Sequence, residues 1–187
     1  MKRRSQLFFI ALSSLLLTAI VACSQTTGGH KTLDDERPKT DTVATYLHQL
    51  FTQADAEKIM GEPSHLSDSS TKQEADVFTY LCSYEADLKD SISQKAGAIY
   101  FLFEDFRLTK LAQKKYAEIK KANEHLGIEV LKNLGDEAYY HSDGTNFYFI
   151  MVRKGDKVFN LKVNKITSTT NLEAFKRIAA KITALVN

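Results

Sequence analysis

The chain has 187 residues, of which 43% are hydrophobic and 26% charged, ordinary values for a globular protein. Loss of Lys2, Arg3 and Arg4 with a signal peptide leaves 22 of the 25 basic residues against 23 acidic ones, a formal charge of −1. A chain so nearly neutral excludes bulk attraction to nucleic acid or another polyanion. The stretch 42–187 suits one domain with a sizeable core rather than two.

The chain begins with the basic cluster Met1-Lys2-Arg3-Arg4 and continues from Leu7 to Ala22 as an apolar run without charge. That run is short for a membrane span, which needs roughly 20 residues, and has the proportions of a signal-peptide core. It ends Ile20-Val21-Ala22-Cys23. Small or apolar residues before a cysteine resemble the lipobox of bacterial lipoprotein precursors. The resemblance implies cleavage of the signal peptide 1–22, acylation of Cys23 (palmitate-type chains) and a membrane anchor. A single acyl chain binds marginally and two or three bind stably, at about 0.8 kcal/mol per buried methylene. The competing readings are an ordinary secretory signal and a retained anchor helix. Ser24 stands where an aspartate would favour the inner membrane, so a Gram-negative envelope would place the protein at the outer membrane. Residues 23–41 are polar, contain Gly28-Gly29 and Pro38, and lack apolar periodicity. They read as a flexible tether with a span of roughly 20–25 Å, and His30 within it reads as solvated.

The first helical stretch runs from Val43 to about Met60, with Val43, Tyr46, Leu47, Leu50 and Phe51 on one face. Thr52-Gln53-Ala54-Asp55 offers a capping box at which a second helix can start, and Gly61 and Pro63 stop it. Residues 65–74, rich in Ser, Thr and Asp, read as a loop. Strands are expected at Val77–Tyr84 and Gly97–Phe103, both apolar on two faces. Such a strand is either covered on both sides, or covered on one and exposing an aromatic surface on the other. The stretch 86–95 between them reads as a polar loop. A helix from Thr109 to about His125 sets Leu108, Leu111, Ala112, Tyr116, Ile119 and Ala122 toward a core, with Lys110, Lys114, Lys120 and Lys121 opposite, and ends at Gly127. A short strand at Ile128–Leu131 follows. Phe147–Arg153 and Lys157–Asn164 then form a hairpin about a three-residue turn, Lys154-Gly155-Asp156. The closing helix has a capping box at Thr170-Asn171-Leu172-Glu173 and a stripe of Leu172, Phe175, Ile178, Ala179, Ile182, Leu185 and Val186. Hairpins with segregated helices predict an α+β fold, a mostly antiparallel sheet with amphipathic helices packed on it. The order strands-then-helix occurs twice, as in a degenerate repeat.

Sequence patterns for chemistry are sparse. There is no Gly-rich phosphate loop, Gly-x-Ser-x-Gly, paired-cysteine zinc spacing or His-Glu-x-x-His. With Cys23 acylated, Cys82 has no partner in the chain and is either a buried small hydrophobe or an intermolecular contact. As a nucleophile it would need His125 or His141 as its base. Glu137 and His141 would share a face and a metal if that segment were helical. The lysines of the 109–125 helix suit a solvated face or an anionic surface. Tyr80, Tyr84, Tyr100, Tyr139, Tyr140 and Tyr148, with Phe147, gather around the strands and suit either core or an aromatic ligand-binding sheet face.

Ile59-Met60-Gly61, Cys82-Ser83-Tyr84, Leu134 to Tyr139 (Leu-Gly-Asp-Glu-Ala-Tyr), the Lys154-Gly155 hairpin and the final amphipathic helix together resemble a loose group of small envelope lipoproteins of unknown function, best populated in actinobacteria. The resemblance covers roughly residues 43–187 and implies a Mog1/PsbP-like sandwich with a binding or accessory role. The second cysteine often seen in that group is absent, so its disulfide does not carry over.

The expectation is a lipid-anchored, non-catalytic envelope protein without a cofactor, which binds a protein partner or a small apolar or glycan ligand. The alternative is an enzyme acting on envelope material, with His141, Asp136 and Glu137 converging in a cleft. A structural spacer or sensor is a third reading.

Overall fold

A computed structural model describes residues 46–91, 94 and 96–186; Cys23, the expected tether and Val43 lie outside them. Seven antiparallel strands form one sheet in the order β1-β2-β3-β7-β6-β5-β4. They are β1 (Ser64–Gln73), β2 (Val77–Lys89), β3 (Ala96–Phe106), β4 (Glu129–Val130), β5 (Glu137–Ser142), β6 (Phe147–Lys154) and β7 (Lys157–Asn164). The helices are α1, described over 46–50, α2 (Gln53–Met60), α3 (Thr109–Asn123) and α4 (Leu172–Leu185). The expected α+β class, with an antiparallel sheet and packed helices, is what the chain adopts.

The helical stretch breaks at Thr52. Thr52 caps α2 in a capping box, its Oγ1 accepting from the Asp55 backbone and its own N–H donating to Asp55 Oδ2 at 3.0 Å. Gly61 closes α2 at φ 74°, and a methyl group there would overlap the Thr169 carbonyl oxygen, so only glycine fits. Asp55 is buried and meets Lys181 Nζ at 2.6 Å, tying α2 to α4. Burial opposes ionisation of this carboxyl, but the lysine and the Thr52 bonds outweigh it and hold its pKa below the usual range.

Because side chains alternate along strands, the sheet has two distinct faces. On the closed face, Tyr80, Cys82, Tyr84, Ile99, Phe101, Phe159 and Leu161 pack against Leu47, Leu50 and Phe51 and against Ile59, Phe175, Ile178 and Ile182 of α2 and α4. On the opposite face, α3 lays Ala112 and Tyr116 over Phe106, Tyr139, Met151 and Val158. That helix covers one end of the face and leaves the other open. The chain is thus two meanders, β1-β2-β3 and β4-β5-β6-β7, joined where β3 pairs with β7. Each is followed by a helix, but α3 and α4 lie on opposite faces, so the two-fold that relates antiparallel strands does not relate the halves.

Several expectations need correction. Residues 64–73 form the edge strand β1, and every residue from His65 to Gln73 is exposed. With neither face buried, such a strand carries no apolar alternation to read. The stretch 86–95 begins as strand, because β2 runs on to Lys89 with Ala86 still in the core. The hairpin turn has two residues, since Lys154 pairs with Lys157; Gly155 leads it at φ 59°, the glycine-first pattern of a type II′ turn. The cap of α4 is Asn171, whose side chain accepts from the Ala174 backbone. Thr170 Oγ1 instead accepts from Thr167 N–H, so no capping box forms there. Leu108 is the extended residue preceding α3 and is exposed, and Ala122 is also exposed. The packed stripe of α3 is therefore Leu111, Ala112, Tyr116 and Ile119. Tyr46 is exposed and donates its hydroxyl to the Leu185 carbonyl, and Leu185 is exposed as well.

Candidate functional site

The open end of the sheet is built by register. Ser83, Tyr100, Lys162, Phe149 and His141 form one cross-strand row from β2 to β5. The next row toward α3 is Leu81, Leu102, Asn160, Met151 and Tyr139. Only the second row's Met151 and Tyr139 lie fully under α3. Tyr100 remains 38% exposed, Leu81, Leu102 and Asn160 are half-buried and Lys162 is exposed. Lys162 Nζ stands 6.0 Å from the centre of the Phe147 ring. The His141 ring meets the same phenyl edge-on at 5.0 Å. His141 is 7% exposed, and its buried Nδ1 has no hydrogen-bond partner among the described residues. The surface thus sets aromatic and aliphatic side chains beside one ammonium, an amide and an imidazole. Chemically it suits an apolar or ring-bearing group that also carries a hydrogen-bonding or anionic substituent.

A cleft of about 380 Å³ lies at the other end, lined by Tyr116, Lys120 and residues 130–138. Its wall is held by Arg153, which is 6% exposed. Arg153 Nη1 donates to Asp136 Oδ2 at 2.7 Å, and Nε donates to Glu137 Oε2 at 2.6 Å. Asp136 also accepts from Gly155 N–H at 2.8 Å, and its own N–H donates to the Arg153 carbonyl. The Gly155 bond, together with Arg153, holds the Asp136 carboxyl below its ordinary range. Burial disfavours the charge on Arg153, but its two carboxylate partners raise its pKa overall. Gly135 sits at φ 64°, and a Cβ there would lie 2.6 Å from the Arg153 carbonyl oxygen. The Leu-Gly-Asp-Glu-Ala-Tyr motif therefore pins the loop before β5 to the β6–β7 turn.

The three groups expected to converge in an enzyme do not do so. Asp136 and Glu137 are bound to Arg153, and His141 lies four residues beyond Glu137 along a strand, about 13 Å away. The same spacing corrects the metal reading of Glu137 with His141, which required a helix. No cluster of three metal-ligating side chains occurs among the described residues. Cys82 is buried and free on the closed face, and burial pushes its thiol pKa up to about 11. His141 is on the opposite face and His125 is exposed in the turn after α3. The imidazole near Cys82 is His48, reached through Tyr80, whose hydroxyl lies 2.9 Å from His48 Nδ1.

The six tyrosines do not share a surface. Tyr80 and Tyr84 are closed-face core, and burial raises the Tyr84 pKa to about 12. Tyr140 and Tyr148 are half-buried on that same face, beside Lys176 and Phe175. Tyr139 is buried beneath α3, where its hydroxyl accepts from Asn123 Nδ2 at 2.9 Å. Of the expected aromatic set, Tyr100 and Phe147 stand on the open surface, which adds Leu81, Leu102, Phe149 and Lys162. Those residues carry no distinguishing motif; the available signal was two-sided apolarity in β2 and β3 beside a single helix for the second face. Of the lysines on α3, Lys110, Lys114 and Lys121 are exposed, and Lys120 faces the cleft. Compared with protein-family models and with curated proteins, the chain matches none.

Proposed function

We propose that this chain is a lipid-anchored, non-catalytic protein of the bacterial cell envelope, acylated at Cys23, that binds a ligand or partner on the open end of its sheet. The anchoring reading rests on Ile20-Val21-Ala22-Cys23 after a basic start and an apolar run. The binding reading rests on one observation: Tyr100, Leu81 and Leu102 stay partly exposed, while Tyr80, Cys82, Ile99, Phe101 and Phe103 on the other face of the same strands are buried. Lys162 and Asn160, which stand on β7 among these apolar side chains, favour an apolar or glycan ligand with hydrogen-bonding groups over a purely aliphatic one. A protein partner would use the same surface.

Native mass spectrometry of the full-length gene product, extracted from bacterial membranes in mild detergent, tests both parts. The expected species lacks residues 1–22, carries a diacylglyceryl group on Cys23 and holds an additional adduct lost on denaturation. An uncleaved, unmodified chain would overturn the anchoring. A lipidated chain with no adduct would leave the protein partner as the binding reading.

A further inference from the structure

We infer that the edge strand β1 pairs with the β1 of a second copy, antiparallel and centred on Ser70, so that two seven-stranded sheets join into one. The edge is long: β1 spans Ser64–Gln73, and all residues from His65 to Gln73 are exposed. The other edge strand, β4, has two residues. Charged residues on an edge ordinarily deter pairing. Here their spacing selects a register instead.

Backbone N–H and C=O groups along β1 point alternately toward β2 and outward. Two copies meeting by this same edge must therefore set outward residues opposite outward residues. Opposed residue numbers then sum to an even value. Centring the pair on Ser70 places Asp68 opposite Lys72 twice and Ser69 opposite Thr71 twice. Asp68 and Lys72 lie on the open face, since they pair with Ser83 and Thr79, and Ser69 and Thr71 lie on the closed face. The facing matches as the two-fold requires. Centring on Ser69 leaves Asp68 opposite Ser70 and forms no ion pair. Centring on Asp68 or Lys72 sets like charges against each other, and centring on Thr71 sets Asp68 against Glu74. Among registers centred from Asp68 to Lys72, the Ser70 register alone is charge-complementary; a Gln73 centre, which sets Lys72 opposite Glu74, lies at the last residue of β1 and leaves almost no strand to pair. Small hydroxyl side chains at 69, 70 and 71 leave the approach unobstructed. The β-bulge between Leu66 and Asp68 bounds the paired stretch at one end. Lys72 Nζ has an existing partner in Glu74, but both side chains are more than half exposed, and such solvated pairs are weakly held. The interface is short, which fits association between copies concentrated on one surface.

Disulfide trapping of the full chain in its native envelope tests this, with Cys82 left in place because it is buried. Residues opposed across an antiparallel pair come within the span a disulfide bridges. S70C is expected to give a covalent dimer on mild oxidation. D68C, whose two copies would stand about 13 Å apart in this register, is expected to give almost none. Adding D68K to S70C is expected to abolish the dimer, and D68K/K72D is expected to restore it. Circular dichroism of each purified variant confirms that it folds. S70C that stays monomeric, or that links no better than D68C, would overturn the inference. So would a charge swap that fails to restore the link, or S70C linking to a different protein, which would make the occupant a foreign extended segment.

Discussion

The two faces of the sheet are made from the same strands and differ in what covers them. Tyr80, Phe101, Phe159 and Leu161 on the closed face are fully buried against α1, α2 and α4. Residues on alternate positions of those same strands, Leu81, Tyr100, Leu102 and Asn160, keep contact with water. One helix of 15 residues is too short to roof a seven-stranded sheet. Residues that hold the fold are thus separated from residues open to water, although Leu81, Tyr100 and Leu102 are as apolar in type as the buried set.

The contrast is broken most severely from the closed side. Phe101→Ala removes a phenyl that touches Phe51, Tyr80 and Phe159 and is expected to lower stability by about 3–5 kcal/mol in urea unfolding. Gly135→Ala forces a methyl toward the Arg153 carbonyl at a positive φ. It is expected to cost about 1–3 kcal/mol and to loosen the cleft while leaving the open end unchanged, which amide exchange at β5 and β6 would report. Tyr139→Phe deletes a hydroxyl that bonds Asn123; the expected loss is about 1 kcal/mol. At Asp136 the folded-state pKa is lowered. Its contribution is therefore present above the ordinary carboxyl range and lost as pH falls through the folded value. Asp136→Asn is expected to lower stability at neutral pH and to flatten its decline below about pH 4; an unaltered decline would remove Asp136 from the acid response. At the small end, Tyr100→Ser is expected to shift stability by no more than about 0.5 kcal/mol.

The closed face was readable in the residues because burial on it leaves periodic signals: Leu47, Leu50 and Phe51 at helical spacing, and the α4 stripe through Phe175, Ile178 and Ile182. Thr52 and Asp55 announced the break between α1 and α2 for a local reason, since a capping box needs only neighbours. Strand β1 was illegible because exposure on both faces erases alternation. The choice of Asn171 over Thr170 as cap depends on where the chain leaves Thr167, which lies outside the four-residue motif. The open surface was half legible. Apolarity on both faces of β2 and β3 allowed either two-sided cover or an aromatic exposed face, and the fold realises both, one at each end. Which end is open follows from where α3 lands, a tertiary fact. The tyrosines misled as a set because residue type does not encode face: Tyr139 and Tyr140 are neighbours and point to opposite sides.

The proposed binding role depends most on the open end of the sheet being the surface this domain uses. A photoreactive phenylalanine analogue placed at Tyr100 in the full chain, irradiated in living cells, tests that directly, with Gln113 on the exposed side of α3 as the comparison site. Covalent products at position 100, weakened by Lys162→Glu and absent at position 113, are the predicted result. No product at position 100, or the same products at both positions, would contradict it.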